Sequence, residues 1–205
     1  MNSLERRGPV RGMTGAEVER DMLGAVTMKG SVQLGRGLAR MMDRAKESGG
    51  YLSYEDAVRL VKEGTEQDPE NPSADFANDL RIELLDKLES EFGTGGAVRV
   101  FATNGTPLDI FHGVDAFIEY QLPDMPRPAR VTVDVSINTS KGVDYKADFV
   151  IGEAPDPDNE EEEYLAFVEG VAERILGTLQ SQVADIREEK KESRVGSSRA
   201  WRRNG

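Results

Sequence analysis

The spacing of apolar residues along this chain changes period twice. It is helical from residue 14 to 92, alternating from 97 to 151, and helical again from 160. Thr14 and Glu17 are spaced as a capping box, in which a hydroxyl and a carboxylate satisfy two helix-start amides. Val18, Met22 and Val26 follow at four-residue intervals. A second helix is predicted over 31–46, with Leu34, Leu38, Met41 and Met42 inward and Gly49-Gly50 as its stop. Ser53 caps a third over 54–63, which turns Ala57, Val58 and Val61 inward. Beyond the Pro-bearing loop 65–72, Ser73 caps a long helix. There Phe76, Leu80, Leu84, Leu88 and Phe92 recur every four residues, and Ile82 and Leu85 widen the stripe. The last helix is predicted from 160 to about 187, with Leu165, Val168, Val171, Ala172, Ile175, Leu179 and Val183 on one side.

Between the helices the period is two. The runs AVRVFAT (97–103), GVDAFIEY (113–120), RVTVDVSINTSK (130–141) and GVDYKADFVI (142–151) are rich in β-branched and aromatic residues and separated by turn residues. They read as antiparallel strands. Val131, Val133, Val135 and Ile137 share one face, and Thr132, Asp134 and Ser136 the other. Likewise Val114, Ala116 and Ile118 point away from Asp115, Phe117 and Glu119. The pattern predicts an α+β fold with an α/β-like core: a small mixed or antiparallel sheet of about four strands, one long helix on each side, and a helical N-terminal extension. The expected divisions are a disordered 1–13, a helical region 14–66, the core 73–187, and a disordered basic tail 188–205.

Composition adds limits. A length of 205 residues suits one domain. Hydrophobic residues are 38% and charged residues 31%, which points to flexible ends around a compact middle. There is no cysteine, so disulfides and thiolate metal sites are excluded, and the single histidine, His112, excludes a histidine-based metal site. No apolar run has the length of a membrane span, and no apolar region follows the charged N-terminus, so a soluble cytoplasmic or virion-associated protein is expected, with no membrane partner. The net charge of −12 opposes nucleic-acid binding over the surface as a whole. The charge is segregated, however. Residues 153–163 hold seven acids and no base, whereas 187–205 hold seven bases and three acids. Arg199, Arg202 and Arg203 flank the lone Trp201, which makes this tail a candidate docking motif or base-stacking anchor. No P-loop, dinucleotide-binding glycine pattern or HExxH is present.

The candidate chemistry lies in the strands. If 113–120 and 130–137 are neighbours, Asp115 and Asp134 fall on a common polar face, with Lys141 and Lys146 close behind. Two carboxylates and a lysine at the end of a small sheet are the parts of a magnesium-dependent phosphodiesterase. The structural alternative is that both aspartates mark the solvent face of a half-exposed sheet.

On these residues the chain resembles the PD-(D/E)XK nuclease superfamily, over roughly 73–183. Asp115 in GVDAFIEY matches the aspartate of the first motif without its proline. Asp134, at the end of the apolar run VTVDV, matches the first acid of (D/E)XK. Ser136 stands where that motif has lysine, and Lys141 lies further along; in a second register Asp144-Tyr145-Lys146 is a literal DxK. The resemblance implies a restriction-endonuclease-like fold with Mg²⁺ or Mn²⁺ held by Asp115 and Asp134, with Glu83 as an extra ligand. Lys141 or Lys146 would assist the nucleophile. Nucleic acid would be the substrate, held by Arg199, Trp201, Arg202 and Arg203. The rival expectation is a non-enzymatic structural or adaptor protein of phage or mobile-element type. It would assemble with a protein partner or its own copies through Met-rich N-terminal helices and dock by its tail.

Overall fold

The computed structural model describes residues 14–30, 33–136 and 146–201, with side chains as far as 192. Their elements, in chain order, are helices α1 (Gly15–Leu23), α2 (Arg36–Glu47), α3 (Tyr54–Gly64) and α4 (Asp75–Phe92), strand β1 (Ala97–Ala102), helix α5 (Pro107–His112), strands β2 (Ala116–Gln121), β3 (Ala129–Val135) and β4 (Phe149–Ile151), and helix α6 (Glu161–Trp201). The expected α+β class and four-stranded mixed sheet are what the chain forms.

Local chemistry explains most boundaries. The Glu17 carboxylate accepts the Thr14 N–H at 2.7 Å, as the capping box requires. Gly24 then adopts φ 88°, in a region that favours glycine, and stops α1 before Val26. Ser53 Oγ accepts the Asp56 N–H at 3.3 Å at the start of α3. The tail departs from expectation, since α6 continues as helix through Trp201. Its last buried residue among those described is Ile186. Beyond it Arg187 pairs with Asp124 at 3.2 Å, and the Glu, Lys, Arg and Ala residues that follow are good helix formers.

The sheet order is β1-β2-β3-β4. The first three strands form an antiparallel meander, but β4 runs parallel to β3, with Val133 opposite Phe149 and Val135 opposite Ile151. The all-antiparallel reading of 113–151 is therefore corrected. Residues 136–148 join β3 to β4, and a connection of about a dozen residues suffices to bring the chain back to the same end.

The layers also differ from expectation. Both long helices lie on one face, together with α1. Leu80, Leu84 and Leu88 of α4 and Ile175, Leu179 and Val183 of α6 share a core with Val100, Ile118, Val131 and Val133. The opposite face is covered by α2, α3 and α5, whose Leu38, Met41, Val58, Val61 and Leu108 pack on Phe101 and Phe117. The reason is area. The first face is aliphatic on three strands and accommodates two wide apolar stripes. The second carries two rings among polar residues and takes the shorter helices. Met22 and Met41 are buried, which leaves less methionine surface for assembly than the sequence suggests. Among the described residues no helix is long and apolar enough to cross a membrane.

One packing constraint is sharp. A Cβ on Gly96 would stand 2.5 Å from the hydroxyl oxygen of Tyr120 and 2.6 Å from its ring. Tyr120 is fully buried and has no room to swing. Gly96→Ala is expected to cost about 1–3 kcal/mol, as overpacking does. Thermal melts of the two proteins check it.

Candidate functional site

The site is built where α5 hands the chain to β2. The Thr106 hydroxyl accepts the Leu108 N–H at 3.3 Å, Pro107 occupies the first turn, and Gly113 ends the helix in the left-handed conformation. This turn delivers Asp115 to the end of the sheet. Ala116 lies opposite Val133, so Asp115 faces Asp134 one step further along. The Asp115 N–H donates to the Val133 carbonyl at 2.9 Å. Its carboxylate Oδ2 accepts the Val135 N–H at 2.7 Å.

The surroundings are unusual for an acid. Asp115 is only 4% exposed. Burial pushes its carboxyl up from an ordinary 3.8 to about 7, against the opposing pull of the Val135 N–H. Among the described residues, the charges of Glu19, Asp134 and Asp109 push the same way. Glu19, on α1, is itself raised by burial and then by Asp109 and Asp134. Carboxyl groups from α1, α5, the residue preceding β2, and β3 thus act on one another at one end of the sheet. For Asp115 the reading as a solvent face is corrected, because α3 and α5 pack on that face and Glu119 beyond it is 1% exposed; Asp134 is half-buried.

The donor set suits a hard divalent cation. Mg²⁺ takes carboxylate oxygens and keeps several waters, so two carboxylates are enough to hold it. A buried acid with acidic neighbours would also gain a favourable charge from such an ion. Among the described residues, no three Asp, Glu or His side chains stand close enough to grip one ion.

The other sequence candidates fall in different places. Lys141 lies outside the described residues, as do Asp144 and Tyr145 of the second register. Lys146 donates to the Phe111 carbonyl at 3.3 Å, at the end of α5 that leads to Asp115. Glu83 does not join the aspartates; it pairs with Lys87 at 3.0 Å where α4 meets α6. Its helix packs on the aliphatic face, where the Glu83 side chain points toward α6 rather than toward the aspartates. The side chains of Arg199, Trp201, Arg202 and Arg203 lie outside the described residues. His112 has a structural place. Its Nε2 meets the Leu52 carbonyl at 2.9 Å, and its ring lies 5.8 Å from that of Tyr51 and 5.7 Å from that of Tyr54, which fastens α5 to α3.

Sequence reasoning missed Glu19 and Asp109. No spacing rule points from either residue to the strands. It also missed a second polar centre two residues beyond Phe117. Glu119 accepts from Lys62 of α3 at 2.7 Å and from Arg130 of β3 at 3.0 and 2.8 Å. Lys62 lies over the Phe101 ring and Arg130 over Phe117, and those two rings are stacked 4.7 Å apart. The period-two pattern placed Glu119 on the face of Asp115, but it could not show that the face is buried.

No family model matches this sequence, and no curated protein or solved structure is significantly similar to it.

Proposed function

We propose that this protein is nuclease-like, a Mg²⁺- or Mn²⁺-dependent hydrolase of nucleic-acid phosphodiester bonds. The observation that carries the reading is the Asp115–Asp134 pair at the covered end of the sheet, with Glu19 and Asp109 acting on it. In this reading Asp115 and Asp134 hold the ion, which when bound offsets charge on the phosphate and acidifies water. Glu19 and Asp109 add negative charge around the pair, which favours a cation there. The Val135 N–H fixes the Asp115 carboxylate for its ligand. Lys146, beside the end of α5, or Lys141 neutralises the phosphate. Arg199, Trp201, Arg202 and Arg203 supply phosphate contacts and stacking, so binding weakens steeply with salt.

The test is cleavage of single- and double-stranded DNA and RNA with Mg²⁺ or Mn²⁺, by wild type and by Asp134→Ala. Cleavage that needs the metal and falls to background in the folded variant is the expected result. No cleavage of any substrate by well-folded wild type sinks the reading.

A second reading is an assembly or adaptor protein, cytoplasmic or virion-associated. It is favoured by the lack of a third ligand at the carboxylates among the described residues and by an exposed apolar groove between α4 and α6.

A further inference from the structure

The groove between α4 and the start of α6 has a volume of about 640 Å³. Two of its lining residues, Ile82 and Leu165, are 42% and 56% exposed. Both sit on helices whose neighbouring positions are spent in the core, so these two face outward by position. The rim is acidic: Asp79 and Glu83 come from α4, and Glu162 and Glu169 from α6. Tyr164 donates to Asp79 at 2.7 Å and ties the two helices together there. Lys87 offsets part of the charge at one end, 3.0 Å from Glu83 and 3.9 Å from Glu169. The acidic run 160–163 adds more negative charge beside the groove.

The chain carries the complement of this surface. Residues 193–205 hold Arg194, Arg199, Arg202 and Arg203, no acid, and the protein's one tryptophan at 201. The segment cannot reach its own groove. Leu165 and Trp201 lie on one continuous helix, α6, and 36 residues of helix span about 54 Å. A helix does not fold back on itself, so the occupant comes from another molecule.

We propose that the protein forms a two-fold dimer in which the basic, Trp-bearing end of α6 from each copy docks in the α4–α6 groove of the other. The indole covers Ile82 and Leu165, and the arginines pair with the acidic rim. A two-fold axis makes the two contacts equivalent and closes the assembly. The inference is independent of the carboxylate pair and holds whether or not the sheet end hydrolyses nucleic acid. It gives the tail a protein ligand, in competition with nucleic acid for the same arginines.

The experiment is sedimentation of the full chain at concentrations on the order of tens of micromolar, at low and high salt. The dimer is expected at low salt and weakens roughly tenfold or more when salt screens the rim. Leu165→Arg, on the groove, and Trp201→Ala, on the tail, are each expected to be monomeric. Leu165 is exposed, and unchanged circular dichroism melts show that each variant folds. Mixing the two variants is decisive. The first keeps an intact tail and the second an intact groove, so a heterodimer with one working contact forms only if tail meets groove. A monomeric wild type at low salt overturns the proposal. So does a Trp201→Ala protein that stays dimeric, or a mixture that stays monomeric. A synthetic 193–205 peptide that binds single-stranded DNA but not the tail variant's intact groove also overturns it, and returns the tail to nucleic acid.

Discussion

Asp115→Asn is expected to stabilise the fold by about 2 kcal/mol at about pH 8, an increase of roughly 4–8 °C in melting temperature for a chain of this size. Proton binding is linked to folding here. The folded protein holds the Asp115 proton up to about pH 7, whereas the unfolded chain releases it near 3.8. The proton-bound form is therefore favoured in the fold. The stability it contributes is fully present below the unfolded value and is lost as pH rises through the folded one. Three powers of ten in proton affinity set a ceiling of about 4 kcal/mol, and relaxation of the acidic neighbours brings it to about half. Asparagine resembles the neutral acid, and its oxygen can still accept the Val135 N–H. Melts across the pH range check this: the advantage of the variant should shrink as pH falls from 8 toward 4 and vanish there. An asparagine variant less stable than wild type at about pH 8 contradicts the burial account. In the nuclease reading the same variant is stable and inert, because a ligand has been exchanged for stability.

Glu119→Ala is expected to lose about 3 kcal/mol. The carboxylate is almost fully buried and joins two cations, Lys62 and Arg130, across the α3 face of the sheet. Removing one partner from a buried ion pair typically costs about 3–5 kcal/mol, because the remaining charge keeps its desolvation without compensation. Lys62 and Arg130 retain 34% and 22% side-chain exposure, which places the loss at the lower end. Glu119→Gln keeps the shape and one acceptor and should lose less. Urea denaturation of the three proteins tests the order. A loss under about 1 kcal/mol for the alanine variant means the triad contributes as little as a surface pair does.

Much of the site was legible because strand alternation is rigid. Asp115 and Asp134 fell on one face from the period alone, and the register of β2 with β3 set them opposite each other. What the alternation could not supply was which face would be covered. Polar positions among Phe117 and Glu119 look like a solvent face until α2 and α3 need somewhere to bury their own stripes. Helix α5 escaped because six residues are too few for a helical period, although Thr106, Pro107 and Gly113 are start and stop residues. The direction of β4 escaped because a run of three residues carries no sign of parallel or antiparallel pairing. Glu19 escaped because its neighbour in space comes from a strand nearly a hundred residues away, and one sequence holds no trace of that contact.

The central claim is that the Asp115–Asp134 end of the sheet takes a divalent cation. Calorimetric titration of Mn²⁺ and Mg²⁺ into wild type and Asp115→Asn, near pH 6.5 in buffers of different ionisation enthalpy, tests it most directly. The account predicts about one ion per chain, with proton release on binding because Asp115 is still partly protonated there, and loss of both in the variant. No binding at millimolar metal, or equal binding to the asparagine variant, contradicts it.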